Sequence, residues 1–168
     1  MTATSTSIFV YTRTNTAVFL SDVILGSVAD ILAHLGIDST RLQADWDTDQ
    51  AAIKAWIEEE SLAMVVLECT QPSGKVAPVI EFPVSYGASG LADQSFTNSR
   101  AALARYRAKL DSVPRGTTFR LVCTFRSSRT PQPGWSPTTR ASTAGLSSTS
   151  FGTLATGPHA STAMRYLR

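Results

Sequence analysis

No aspartate or glutamate occurs after Asp111, so the chain divides into two electrostatically opposite parts. Residues 1–111 hold thirteen acids against eight Lys and Arg, a balance of −5, while residues 112–168 hold seven Arg and no acid, a balance of +7. The arginines are dispersed and form no run. That pattern favours a basic C-terminal part lying against its own acidic domain over one presented to nucleic acid, the alternative such a balance raises.

Other absences narrow the function classes. Cysteine is represented only by Cys69 and Cys123, with no CxxC, and histidine only by His34 and His159. Both cysteines fall inside alternating apolar runs, where a thiol is usually a small buried hydrophobe. No zinc or other metal site is expected from so few ligands. There is no HExxH, no nucleophile elbow and no phosphate loop, since "PSGK" at 72–75 sits in a turn with no helix after it. Ser–His pairings around "GPHAS" lack a neighbouring acid to orient them, so a hydrolase is the least supported reading. The expectation is a protein with no enzyme activity and no cofactor. The apolar runs read as too short to span a bilayer, and "MTATSTSIFVYTRTN" does not read as a secretory leader, so a cytoplasmic location is expected.

What is present is the composition of one globular domain, with 168 residues, 43% hydrophobic and 17% charged. "STSIFVYTRTNT" is β-branched and aromatic and reads as a candidate first strand. Thr14, Asn15 or Thr16 then caps a helix whose Ala17, Leu20, Ile24, Val28, Ile31, Leu32 and Leu35 recur at helical spacing before Gly36 ends it. A second helix is predicted in "DTDQAAIKAWIEEESL", with Asp47 and Gln50 at capping-box spacing, Ile53, Trp56 and Ile57 buried, and Glu58, Glu59 and Glu60 solvated. "AMVVLECTQPSGKVAPVIEFPVSY" reads as a hairpin. Val65, Leu67 and Cys69 share one face, and Val76, Ile80, Phe82, Val84 and Tyr86 line one face of the return strand, while Pro78 and Pro83 imply an edge or a bulge. "GASGLAD" breaks the pattern.

A third helix spans "SFTNSRAALARYRAKL" with Phe96, Leu103, Tyr106 and Leu110 on its buried stripe. The strand "TTFRLVCTFR" turns Phe119, Leu121, Cys123 and Phe125 inward. Thr118, Arg120, Val122, Thr124 and Arg126 lie on its other face. Helices flanking antiparallel strands make the fold class α+β. The remaining "SSRTPQPGWSPTTRASTAGLSSTSFG" has the chemistry of a linker yet keeps Trp135, Leu146 and Phe151, and the chain then ends on Met164, Tyr166 and Leu167. A segment that long without structure of its own is usually functional.

The order of these elements, from the YT-T-T start to the RYLR end, resembles a HORMA domain, and more closely the bacterial HORMA proteins of CBASS antiphage operons, of their first family. The resemblance implies three helices packed on an antiparallel sheet, with residues 1–126 as the core of a single domain. Residues 127–168 would be a mobile safety belt closing over a short partner peptide, the closure motif. It places the peptide-binding region at Thr118, Arg120, Val122, Thr124, Arg126, Trp135 and Phe151. The implied partners are that peptide, a cGAS-like nucleotidyltransferase activated by the closed form, an AAA+ remodelling ATPase engaging residues 2–13, and in some operons a second HORMA protein. The belt reading explains why a linker-like segment carries apolar anchors: each would contribute about 1.5–3 kcal/mol if fully buried on docking.

Overall fold

The structure, a computed structural model, describes residues 2–87 and 96–168, with side chains from residue 13 onward except that of Arg100. The break expected at "GASGLAD" falls almost wholly outside the described residues. The chain runs α1 (Thr2–Leu35), α2 (Thr40–Ala44), α3 (Trp46–Glu58), β1 (Leu62–Thr70), β2 (Val76–Tyr86), β3 (Thr97–Asn98), α4 (Arg100–Arg107), β4 (Thr118–Phe125), β5 (Ser148–Thr156) and β6 (Ala160–Leu167).

Helix α1 is the spine of the core. Leu20, Ile24, Leu25, Val28, Ile31 and Leu32 are fully buried against α3 and the sheet. Its end follows the expected chemistry. Gly36 takes φ +69°, its amide donates to Ala33 O (3.2 Å) and that of Ile37 to Leu32 O (2.9 Å), a Schellman cap. Its start does not. The segment expected as a strand is helical from Thr2, because a helix already nucleated by the apolar stripe adds residues at one hydrogen bond each, whereas an isolated strand needs a sheet edge to pair with. By length and composition Arg13–Leu35 would also suffice to cross a membrane, contrary to the estimate from apolar runs, but most of it is buried inside this domain.

Helix α3 starts at Trp46. Asp47 therefore lies in the first turn instead of capping it, and Gln50 donates to Asp22 of α1. The short α2 before it was not predicted. Helix α4 is shorter than its apolar spacing suggested: Leu103 and Leu110 are buried, but Phe96 precedes the helix and stays 42% exposed, its ring edge-on to Phe19 at 5.1 Å.

The six strands among the described residues form one antiparallel sheet in the order β3-β5-β6-β2-β1-β4. One face carries Val65, Leu67, Ile80, Phe82, Val84, Leu154 and Met164 into the helical layer. The other gathers Val66, Val79, Val122 and Leu167 with Val76 and Leu146 in a smaller cluster. Val76 leaves its expected face because the β1–β2 register shifts between Glu68 and Thr70. That irregularity beside Pro78 is the expected bulge, yet β2 is not an edge. It pairs with β6 on its far side, where the Thr162 hydroxyl donates to Pro83 O at 2.9 Å. The strand that covers β2 is the last one, beyond the linker-like stretch, and it carries Met164, Tyr166 and Leu167.

Candidate functional site

Strand β4 closes one end of the sheet: β1 pairs with it on one side and, among the described residues, no strand pairs on the other. A sheet edge of this kind offers a row of backbone donors and acceptors to any extended chain. Here residues 126–147 wrap around it.

The wrap begins at the C-terminal end of α3. Arg126 donates through Nε to Glu60 O (2.7 Å), places Nη2 3.5 Å from Glu60 Oε2, and lies over the Tyr86 ring. Glu60 itself sits at φ +60° and also receives Arg13 of α1 at 3.0 Å. The Glu59 carboxylate accepts from the Thr130 amide (3.0 Å) and hydroxyl (2.9 Å), while Trp56 Nε1 donates to Thr130 O (2.8 Å). Desolvation raises the Glu59 carboxyl, but the hydrogen bonds from Ser61 and Thr130 outweigh it and hold the group below its ordinary range.

The chain then runs back along β4 on the helical side. Gly134 passes so close to α3 that an added Cβ would stand 2.7 Å from Thr48 Cγ2. Trp135 packs edge-on to Trp56 at 5.4 Å, and Trp56 edge-on to Phe125 at 4.9 Å. Next it crosses to the opposite face. Arg120 Nη2 donates to Thr139 O (2.9 Å), the Ala141 amide to Glu68 Oε2 (2.6 Å), and Arg140 pairs with Glu81 (2.7 Å). Leu146 seals the smaller apolar cluster, and Ser147 and Arg168 exchange backbone hydrogen bonds.

Between this wrap and β4 lies a groove of about 910 Å³, lined by Trp56, Cys123, Thr124 and Phe125 and by residues 126–129, 131–132 and 135–138. None of its described lining residues is acidic, and Arg126 and Arg129 both border it. Arg129 lies 4.1 Å from the Phe125 ring centre. A smaller recess of about 130 Å³ continues toward Arg120, Leu121 and Asp49. Burial disfavours the thiolate form of both cysteines, pushing Cys69 up to about 12 and raising Cys123 as well.

The model of bacterial HORMA domain 2 matches residues 5–168. The chain belongs to this HORMA family. It is the second bacterial family, where the resemblance had suggested the first. Solved structures share the fold at low identity. A chain of the mitotic checkpoint complex is 12% identical with a TM-score of 0.72, over 90% of this chain and 97% of that one. The E. coli MS115-1 HORMA:CdnC:Trip13 complex gives 11% and 0.63 over 93% and 89%. C. elegans HTP-2 bound to the HIM-3 closure motif gives 15% and 0.57 over 76% and 69%. No curated protein matches.

Within this HORMA domain the predicted residues separate. Thr124, Arg126 and Trp135 border the groove, and Arg120 borders the smaller recess while holding Glu68 and Thr139. Thr118 borders neither cavity. Val122 is 1% exposed in the cluster under Leu146, because the wrap covers the non-helical face of β4 that the resemblance had given to the peptide. Phe151 sits on β5, edge-on to Tyr106 at 5.1 Å, beyond three intervening strands.

Two groups went unrecognised. Glu59 and Glu60, expected to be solvated, hold the start of the wrap, and the buried Glu68 and Glu81 hold its crossing. The first pair had a signal: acids at a helix C-terminus oppose the helix dipole, so a run of them there asks for cationic or amide partners. The charge division resolves as expected, with Arg120, Arg126, Arg140, Arg165 and Arg168 all paired with acids from the first 111 residues.

Proposed function

We propose that this HORMA domain is a non-enzymatic conformational adaptor. It takes a closure-motif peptide as an added strand on β4, beneath residues 127–147, and in that closed form activates a cGAS-like nucleotidyltransferase in cytoplasmic antiphage signalling of the CBASS type. The observation that carries the reading is the unpaired β4 edge enclosed by a wrap tied down at both ends. An added strand gains main-chain hydrogen bonds worth about 0.5–1.5 kcal/mol each in net terms. An enclosing wrap then slows its departure.

The structural neighbours support the two halves of the proposal separately. One is C. elegans HTP-2 with a closure motif bound, and another is a bacterial HORMA chain assembled with CdnC and Trip13. For a remodelling AAA+ ATPase pulling on residues 2–13, the Arg13–Glu60–Arg126 relay links α1 to the first residue of the wrap. Hydrogen exchange on the full chain, with and without a peptide selected from a random library, tests the binding step. The β4 amides and residues 127–147 should both gain protection. Selected peptides that protect other surfaces and leave β4 unchanged would end the reading.

A further inference from the structure

We infer that the peptide taken by this groove is acidic: an extended segment carrying at least one side-chain carboxylate close to an aromatic or large aliphatic residue. The inference rests on the peptide-binding reading above and assigns the ligand's chemistry.

The groove is one-sided in charge. Its described lining contains Arg126 and Arg129, the hydroxyls of Thr124, Ser127, Ser128 and Ser136, and no carboxylate. Five arginines of residues 112–168, Arg126 of the groove among them, are in ion pairs with the acidic core. Arg129 is different. It is exposed, it has no carboxylate within ion-pair distance among the described residues, and it is held against the Phe125 ring at 4.1 Å. A guanidinium stacked on an aromatic face is oriented in advance and keeps its donor edge free for a carboxylate.

Apolar surface stands beside that charge. Trp56, Phe125 and Trp135 form an aromatic wall with ring centres 4.9 and 5.4 Å apart. Side chains on one face of an added strand recur about every 7 Å. Arg129 on the Phe125 ring is therefore within one such step of the wall, and a ligand residue paired with the arginine has a same-face neighbour placed against the rings. A basic peptide would meet Arg129 with no acid paired to it, whereas Arg126 is already partly offset by Glu60. A single-stranded nucleic acid could use arginines and rings as well, but the free backbone edge of β4 favours a ligand with amide donors and acceptors.

The test uses the full chain and three pools of ten-residue peptides, all acetylated and amidated so that only side chains carry charge. One pool mixes Asp and Glu with Phe, Leu, Ile and Val; the second replaces the acids by Asn and Gln, the third by Lys and Arg. The acidic pool should yield binders. Changing the decisive acid to its amide should weaken them about tenfold, and Arg129→Glu should weaken them at least as much while admitting peptides of the basic pool. Binders from the amide pool that match the acidic ones and protect β4 from exchange would overturn the charge inference while leaving the peptide groove intact. No binder from any pool would overturn both. A ten-nucleotide single strand that binds, and loses binding with Arg129→Glu while no peptide does, would reassign the groove to nucleic acid.

Discussion

Glu68→Gln tests what holds the wrap across the back of the sheet. The Glu68 carboxylate is 1% exposed and accepts from Arg120 Nε at 2.5 Å and from the Ala141 amide at 2.6 Å. Glutamine has the same shape but one acceptor oxygen, so one of the two donors must face its amide nitrogen. Removing one partner of a fully buried charged pair costs about 3–5 kcal/mol. Arg120 keeps 45% of its side chain in solvent and still reaches Thr139 O, so rehydration brings the expected loss down to about 2–3 kcal/mol.

The loss should be local. Hydrogen exchange at the Ala141 amide reads it directly, because that proton is held by the residue being changed. A penalty of 2–3 kcal/mol corresponds to exchange faster by roughly 30- to 150-fold, with β1 amides much less affected. Glu81→Gln is the control, loosening Arg140 while leaving the Ala141 contact in place. If Ala141 exchanges within threefold of its original rate in Glu68→Gln, the carboxylate is not what pins the wrap.

The other predictions concern the helical side. Gly134→Ala adds a Cβ 2.7 Å from Thr48 Cγ2 at φ +80° and should destabilise by about 1–2 kcal/mol in urea titration; adding Thr48→Ala should recover the steric part only. Trp56→Phe loses the bond to Thr130 O and some volume, whereas Trp135→Phe removes an indole N–H that has no acceptor among the described residues. The first should cost about 2 kcal/mol and the second under about 1, and equal losses would refute the assignment. Asp49 titrates at about 6, chiefly because burial disfavours its charge, with Asp45 adding to that and Arg41 opposing it. Its folded pKa lies above the unfolded value of 3.8. The domain therefore binds the extra proton when folded, and stability falls as pH rises from about 4 through 6. Asp49→Asn should be more stable than the parent by about 1 kcal/mol at pH 7.5 after allowing for solvent screening, and converge with it near pH 4; a pH-independent difference would exclude this cause.

Where burial is periodic the fold was legible in the chain. The stripe from Ala17 to Leu35 with Gly36, the β1–β2 hairpin and the inward face of β4 all follow from spacing and turn chemistry. Strands β5 and β6 were not legible. "STSFGTLAT" is short of large apolar residues because β5 has only half of its length under the helices, and its pairing with β6 is interrupted by two register shifts that erase a clean alternation. The site was half legible for the same reason. Linker composition with isolated aromatics identified the wrap and Trp135. Which face of β4 it would cover depends on Glu68 and Glu81, whose partners, an amide and arginines more than fifty residues away, no local pattern connects to them.

That placement also constrains how a ligand enters. The wrap is continuous with β4 at one end and, through β5 and β6, is paired to β2 at the other, so the groove is a closed ring around the edge strand. A peptide with a free end can thread such a ring, but one flanked on both sides by folded domains cannot unless β6 leaves β2. Ser85 and Ser161 are directly paired across that seam, at the Cα separation of about 5.5 Å or less that antiparallel partners share and a disulfide can bridge. In Ser85→Cys/Ser161→Cys, oxidation should leave association of a free decapeptide within about threefold of the reduced rate. The same peptide placed between two folded domains should lose association almost entirely, and reduction should restore it. Equal association of the flanked ligand in both redox states would mean that the ring opens elsewhere, at the Glu59–Thr130 or Glu68–Ala141 ties, and that β6 is a fixed strand instead of a moving latch.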